Sequence, residues 1–166
     1  MRKFVISDTH FFHKNIIQYC GRPFADQYMM NEALIANWNS VVNPDDIVLH
    51  VGDFAMGPKE RWSEVRARLN GRIVLHRGNH DKDAAFMLSI GIDEVWENRV
   101  HLHNGVSLYL NHFPEFGEKK ADFHLYGHVH DKTPDNQPKW ARNMSVEVIG
   151  YTPMLLDQVI ADFSSQ

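Results

Sequence analysis

Ile73-Val74-Leu75-His76 runs directly into Arg77-Gly78-Asn79-His80-Asp81. A short apolar run that breaks at a glycine and ends in an amide, an imidazole and a carboxylate reads as a buried strand with polar side chains at its C-terminal end. The same arrangement recurs on both sides. Upstream, Ile47-Val48-Leu49-His50-Val51 leads to Gly52-Asp53, and Phe4-Val5-Ile6 leads through Ser7 to Asp8-Thr9-His10. Downstream, Val106 to Leu110 ends at Asn111-His112, and Phe123 to Tyr126 ends at Gly127-His128-Val129-His130.

Helical spacing fills the gaps in the first half. Asp26 is placed to cap a helix with Met30, Leu34, Trp38 and Val41 on one face, stopped by Asn43-Pro44-Asp45-Asp46. Pro58 opens a second helix, with Trp62, Val65 and Leu69 inward and Asn70-Gly71 closing it. A short third helix carries Phe86, Met87 and Ile90 and stops at Gly91, while 11–25 reads as loop with one helical turn. The order β-α-β-α-β-α argues for parallel strands with helical crossovers. The second half reads mostly as strands. Val100 and Leu102 alternate with His101 and His103, Asn104-Gly105 is a two-residue hairpin signal, and Trp140 to Ile149 has strand character. Thr152-Pro153 reads as the cap and first position of a last helix carrying Leu156, Val159, Ile160 and Phe163. Residues 113–122 and 131–139 look irregular, and each follows a polar cluster. Two sheets facing each other with helices outside would bury both apolar sets, and one domain over 1–166 is the economical reading.

A chain of 166 residues, 43% hydrophobic and 23% charged, is long enough to bury a real core. A net charge of −4 gives no basic stripe for extended nucleic acid. The single cysteine, Cys20, excludes an intramolecular disulfide and a Cys-rich zinc module and suits a reducing compartment. No signal peptide or membrane span is evident, so a cytoplasmic location is expected.

Histidine is the unusual count, at 11. Asp8 and His10 are two apart and can converge on one ion at a strand end, as can His128 and His130, where Gly127 permits close backbone approach. Asp53 has two oxygens and can bridge two ions; Asn79 adds a neutral oxygen and His112 a further nitrogen. Mixed oxygen and nitrogen donors without thiolate favour Mn²⁺, Fe²⁺, Zn²⁺, Co²⁺ or Ni²⁺ over Ca²⁺ or Mg²⁺ alone. The imidazoles must be neutral to bind, so affinity should fall in acid. A lone Asp-x-His or His-x-His is weak evidence; the weight lies in all the clusters occurring in order at strand ends. His50, His76, His101, His103 and His124 lie within strand-like runs and are expected to be structural or at the surface, and Cys20 inert. His13, Lys14 and Arg22, close behind the first pair, are candidates for binding a phosphate. Phe11 and Phe12 could stack a base, or simply pack locally.

The order Asp-x-His, Gly-Asp, Gly-Asn-His-Asp, a lone His after a strand, then Gly-His-x-His resembles the calcineurin-like metallophosphoesterase superfamily in a small, bacterial or phage-type form. The resemblance runs from Asp8 to His130, and Asn143 to Pro153 is similar to the family's closing strand. It implies a four-layer α/β/β/α sandwich of two mixed β-sheets flanked by helices, with a binuclear centre at the strand ends. Asp8, His10, Asp53 and His130 would hold one ion, and Asp53, Asn79, His112 and His128 the other, with manganese foremost among the metals. His80 would contact the scissile phosphate and assist the leaving group, oriented by Asp81. A hydroxide bridging ions about 3.5–4 Å apart would attack phosphorus in line. Many members carry a second acid three positions after the bridging aspartate, where this chain has Met56. The arginine-bearing motifs of the Ser/Thr protein phosphatases are missing. The expectation is a hydrolase acting on a small phosphodiester or phosphomonoester, nucleotides included. A nuclease or cyclic-nucleotide phosphodiesterase is the enzymatic alternative, and a metal-binding interaction scaffold the alternative of another class. A structural metal site conflicts with a thiolate-free donor set.

Overall fold

The computed structural model describes residues 1–164. Four strands, β1 (Lys3–Ile6), β2 (Ile47–His50), β3 (Arg72–His76) and β4 (Glu94–Trp96), pair in parallel, and β9 (Met154–Leu155) adds antiparallel to β1, giving the order β4-β3-β2-β1-β9. After the short α1 (Ile16–Tyr19), the crossovers are α2 (Gln27–Val41), α3 (Lys59–Arg68) and α4 (Ala84–Ser89). Asp26 caps α2 by accepting from the Tyr28 and Met29 amides, and Asp83 caps α4 through Phe86 N. Met30, Leu34 and Trp38 of α2, Trp62 and Val65 of α3, and Met87 of α4 bury against Phe4, Ile6, Val48, Ile73 and Leu75. Val41 is only partly buried at the edge of that layer.

The second sheet has the order β5-β6-β7-β8, from β5 (Asn98–His103), β6 (Val106–Asn111), β7 (Phe123–Tyr126) and β8 (Ala141–Asn143). β5 and β6 form an antiparallel hairpin whose turn residues, Asn104 and Gly105, have φ of 49° and 82°. Two positive φ values are what a twist-compatible two-residue turn demands. The pairs β6–β7 and β7–β8 are parallel. Leu108, Leu110, Leu125 and Met144 face Val5, Leu49, Val51 and Val74 across the sandwich, with Leu156 and Val159 of α6 (Leu156–Ser164) completing this second core. The result is a sandwich of two mixed sheets flanked by helices. The outer face of the second sheet is also roofed by the irregular segments: Phe116 and Trp140 lie on His124, and Phe116 on Tyr126. Among the described residues no helix is long and apolar enough to cross a membrane.

Two local readings give way to tertiary demands. The stretch from Trp140 to Ile149 is a strand only over Ala141–Asn143. Asn143 Oδ1 accepts from both Ser145 N (2.9 Å) and Ser145 Oγ (2.7 Å), which turns the chain into the short helix α5 (Val146–Ile149). The last helix begins at Leu156 rather than at Pro153, because Met154 and Leu155 pair with Val5 and Phe4 on the open edge of β1.

Candidate metal centre

Parallel pairing puts the C-terminal ends of the strands at one end of each sheet, and a single junction aligns the two. Ser7, just past β1, bridges in parallel to Ser145, through Ser7 N to Met144 O (2.9 Å) and Val146 N to Ser7 O (3.1 Å). The loops after β1, β2, β3, β6 and β7 therefore meet. Asp8, His10, Asp53, His128 and His130 all have positive φ, between 50° and 72°. The left-handed region is uncommon for residues with a side chain, at about 1–3 kcal/mol each, and its use clusters at functional sites. At Gly78 a Cβ would collide with the Asp53 carboxylate, and at Gly127 with Ser7 Oγ and Asp8 Oδ2. Glycine is what lets these loops close on one another.

Asp53 Oδ2 lies 3.4 Å from His10 Nε2 and 3.4 Å from His112 Nε2. Asp8 Oδ1 is 3.9 Å from His10 Nε2, and Asn79 Oδ1 is 3.2 Å from His112 Nε2. Asp8, His10 and His130 each offer a ligand atom within 4.8 Å of the others, and so do Asp53, His112 and His128. The outer nitrogens are oriented from behind. His112 Nδ1 donates to Val51 O (2.8 Å), and His130 Nδ1 meets Glu147 Oε1 (3.1 Å), leaving each Nε2 to face the centre. Asp8 accepts from Ser145 Oγ (2.9 Å) and His128 N (3.1 Å).

Burial lowers the His10 imidazole below its ordinary value although Asp53 and Asp8 pull it upward. Burial likewise opposes charge on His112, but Asp53 and Asp8 raise it to about 9. Asp53 in turn is held below the usual carboxylate range by His10 and His112 in spite of its burial. Two carboxylates and their histidines thus form a charged knot in which a cation would displace protons. Among the described residues His10 Nε2 is buried with no hydrogen-bond partner, beside both carboxylates. That orphaned nitrogen, the tautomers set by Val51 O and Glu147, and the thiolate-free donor set fit divalent ions of borderline softness.

The centre floors a cleft of ≈500 Å³, with His13, Tyr19, Cys20, His80 and Lys132 also in its lining. His80 is exposed at the rim, its ring 5.3 Å from that of His10, and His13 Nδ1 is 3.2 Å from His10 Nδ1. Several expected roles change. Asp81 does not meet the His80 ring; it accepts from Asp53 N (2.8 Å), Phe54 N (2.9 Å) and Gly78 N (2.8 Å), tying two ligand loops together. Burial pushes its carboxyl up to about 6 against those three amides. Arg22 is buried and fully committed. Nε and Nη2 meet Glu147, Nη2 also donates to Asp8 O, and Nη1 donates to Thr9 O and Met30 Sδ. Arg22 therefore props the first ligand loop from behind and has no donor left for a phosphate. Lys14 lines a separate hollow with Asp26 and Tyr28. Phe11 and Phe12 are buried and pack locally, Phe11 on Phe54 and Phe12 on Tyr28.

Sequence reasoning missed Glu147, Ser145 and the pair His50–Thr9. Glu147 sets a carboxylate behind His130 and Arg22; burial opposes its charge, but His130 and Arg22 hold it down at about 2. His50 Nε2 meets Thr9 Oγ1 (2.9 Å), which donates to Phe54 O (2.8 Å) and links the Asp8 and Asp53 loops. No local pattern marks any of them. Cys20 lies near His130 and Glu147, its thiol pushed up to about 11 by burial and by Glu147.

The chain is 40% identical to the uncharacterized protein MJ1445 of Methanocaldococcus jannaschii over 170 residues, covering 96% of this chain and 90% of that protein. It belongs to the same family as MJ1445. No family model matches. The same fold occurs in AQ665 of Aquifex aeolicus, a protein of unknown function, at a TM-score of 0.76 and 25% identity, over 96% of this chain and 98% of that one. A solved archaeal phosphodiesterase aligns at a TM-score of 0.50 and 18% identity over 86% of this chain and 82% of that one, a likeness of fold alone. The distant fold neighbours of this family thus include a phosphodiesterase, and the chain carries a candidate metal site at its strand ends.

Proposed function

We propose that the protein is a two-metal phosphoesterase of the calcineurin-like superfamily, hydrolysing phosphodiester or phosphomonoester bonds. The observation that carries this reading is Asp53 Oδ2, equidistant at 3.4 Å from two imidazole nitrogens that belong to opposite halves of the ligand set. Asp8, His10, Asp53 and His130 would hold one divalent cation, and Asp53, Asn79, His112 and His128 the other. Manganese suits these donors, as do iron, zinc, nickel and cobalt. Such a pair, when bound, supplies Lewis-acid polarisation of a phosphoryl oxygen and a water acidic enough to react near neutral pH.

The chain's own residues orient and protonate. His80 N donates to Asp53 Oδ1 (2.9 Å), which fixes the His80 backbone against the centre while its ring stands free in the cleft. From there the imidazolium can donate to the leaving oxygen, and either protonation state can hydrogen-bond a phosphoryl oxygen. No side-chain nucleophile is required, and the Cys20 thiol, raised to about 11, is a poor one at neutral pH.

The test is to strip the protein, reload it with Mn²⁺, count ions per chain by elemental analysis, and assay p-nitrophenyl phosphate, its bis-ester, cyclic nucleotides and short oligonucleotides. Metal-dependent hydrolysis with two ions per chain is expected, and Asp53→Asn should lose both. Hydrolysis of none of these by the loaded protein, or an Asp53→Asn variant that keeps two ions and full turnover, would overturn the reading.

A further inference from the structure

Away from the centre, the cleft has a wall that the reaction at phosphorus leaves unused. Tyr19, at the end of α1, is 72% exposed although it lines a concave surface. Its hydroxyl has no hydrogen-bond partner among the described residues, and its ring makes one edge contact, 6.5 Å to His13. Asn15, one turn earlier, also lines the cleft, and its side chain caps nothing. Facing them is the turn Val129-His130-Asp131-Lys132. Neither Asp131 nor Lys132 has an ion pair or side-chain hydrogen bond among the described residues.

Both walls are built rather than loose. Ile16 is buried, and Cys20 N donates to Ile16 O (3.0 Å) and Arg22 N to Ile17 O (2.9 Å), which anchors α1. Across the cleft, Asn143 Nδ2 donates to His130 O (2.6 Å) and Lys132 O (3.3 Å). A solvent-facing tyrosine, the Asn15 amide one turn away and apolar Ile16 and Val129 in the same lining make a site for a flat ring with polar edges. Aromatic faces bind nucleobases by stacking, and an Asn amide can pair with a base edge. A volume of ≈500 Å³ lies in the range of sites for one small ligand. The net charge of −4 argues against a polymer.

We propose that Tyr19 and Asn15 form a subsite for a nucleobase, and that the natural substrate is a small phosphoester of a nucleoside. This deepens the phosphoesterase reading and rests on it for the position of the scissile group. Tyr19 sets specificity and has no part in bond cleavage.

The experiment compares dissociation constants for AMP, ribose 5-phosphate and phenyl phosphate on Mn²⁺-loaded wild type, Tyr19→Phe and Tyr19→Ala, by calorimetry. Ribose 5-phosphate keeps the anion and sugar and lacks the ring. Wild type and Tyr19→Phe should bind AMP about tenfold or more tighter than ribose 5-phosphate, the size of one stacking contact. Tyr19→Ala should erase that difference while leaving the affinity for ribose 5-phosphate, which has no ring to stack, unchanged. Equal affinities in wild type, or an equal loss for both ligands in Tyr19→Ala, would overturn the proposal. A ring preference confined to phenyl phosphate would overturn the nucleoside assignment. Tyr19-dependent AMP binding without hydrolysis of any ester would leave the subsite standing and sink the phosphoesterase reading instead.

Discussion

The strand-end cleft and the outer face of the second sheet each bury a histidine with at least one ring nitrogen lacking a well-formed hydrogen bond among the described residues, and only one of them has carboxylates beside it. His10 Nε2 faces Asp8 and Asp53. His124 lies among Tyr109, Tyr126, Phe116 and Trp140, with no well-formed hydrogen bond to either ring nitrogen among the described residues. Burial lowers the imidazole pKa in each case, to about 4 for His124, where the Asn111 backbone opposes the shift and nearby Lys120 adds to it. Burial alone is therefore no mark of function. What separates the two regions is convergence: carboxylates within reach, tautomers set by Val51 O and Glu147, and left-handed backbone held at the ligand positions.

The strongest way to break this contrast is through His80. His80→Ala should retain its metal content and lose about 10²–10⁴-fold in kcat, the usual share of a positioned proton donor. His124→Phe should leave kcat unchanged. Steady-state kinetics beside elemental analysis decide it, and equal losses in the two variants would erase the distinction.

A second test uses glycines. Gly127→Ala drives a Cβ into Ser7 Oγ and Asp8 Oδ2, whereas a Cβ at Gly117, in the roof of the second sheet, meets nothing within 4 Å. Overpacking of this kind costs about 1–3 kcal/mol, so Gly127→Ala should lower the Tm by several degrees and weaken metal binding. Gly117→Ala should do neither. Calorimetric melting with and without metal would show whether close approach is confined to the ligand end.

Glu147→Gln sharpens the picture further. It keeps the shape of the side chain but removes the charge that pairs with Arg22 and His130. Loss of such a supporting carboxylate typically weakens metal affinity about 10–100-fold. A competition assay with a chelating dye should show this, and unchanged affinity would mean that His130 needs no orienting partner.

The smallest effect concerns acid. His124 titrates near 6.5 when unfolded and at about 4 when folded, so between those values the unfolded chain binds the extra proton. Stability should therefore fall as pH drops from about 6.5 towards 4 and level off below, as far as this residue is concerned. His50 and His76, both lowered by burial to about 3, steepen the same fall. His124→Phe should flatten part of that slope and be nearly neutral at pH 7, because a phenyl ring fills the same aromatic pocket and no well-formed hydrogen bond is lost. Urea denaturation at pH 7 and pH 5 measures it; an unchanged slope would show that His124 finds a partner on protonation.

Much of this was legible in the chain. The parallel strands, the cap at Asp26 and the Asn104-Gly105 turn follow from local chemistry and appear where the pattern puts them, and the helix read as opening at Pro58 starts one residue later, at Lys59. The polar clusters that converge at the candidate site were legible too, because each sits directly after an apolar run. The misreadings share one cause, competition from distant partners. Met154 and Leu155 read as the first turn of a helix opening at Pro153, but the edge of β1 claims them. Arg22 looks like a phosphate ligand until the carbonyls of Asp8 and Thr9 and the Glu147 carboxylate surround it. Asp81 sits beside His80 in sequence, yet its oxygens are taken by the amides of Asp53, Phe54 and Gly78.

The sequence by itself determined which donors exist, in what order, and that they follow strands, because strand periodicity and side-chain chemistry are local properties. Only the tertiary structure decided that Asp53 lies midway between His10 and His112, that Glu147 stands behind His130, and that Tyr19 faces an open wall. Those relations depend on contacts such as Ser145 Oγ to Asp8 Oδ2, 137 residues apart. Closing so long a loop is favoured by the summed burial of two cores, and no short stretch of chain encodes that sum.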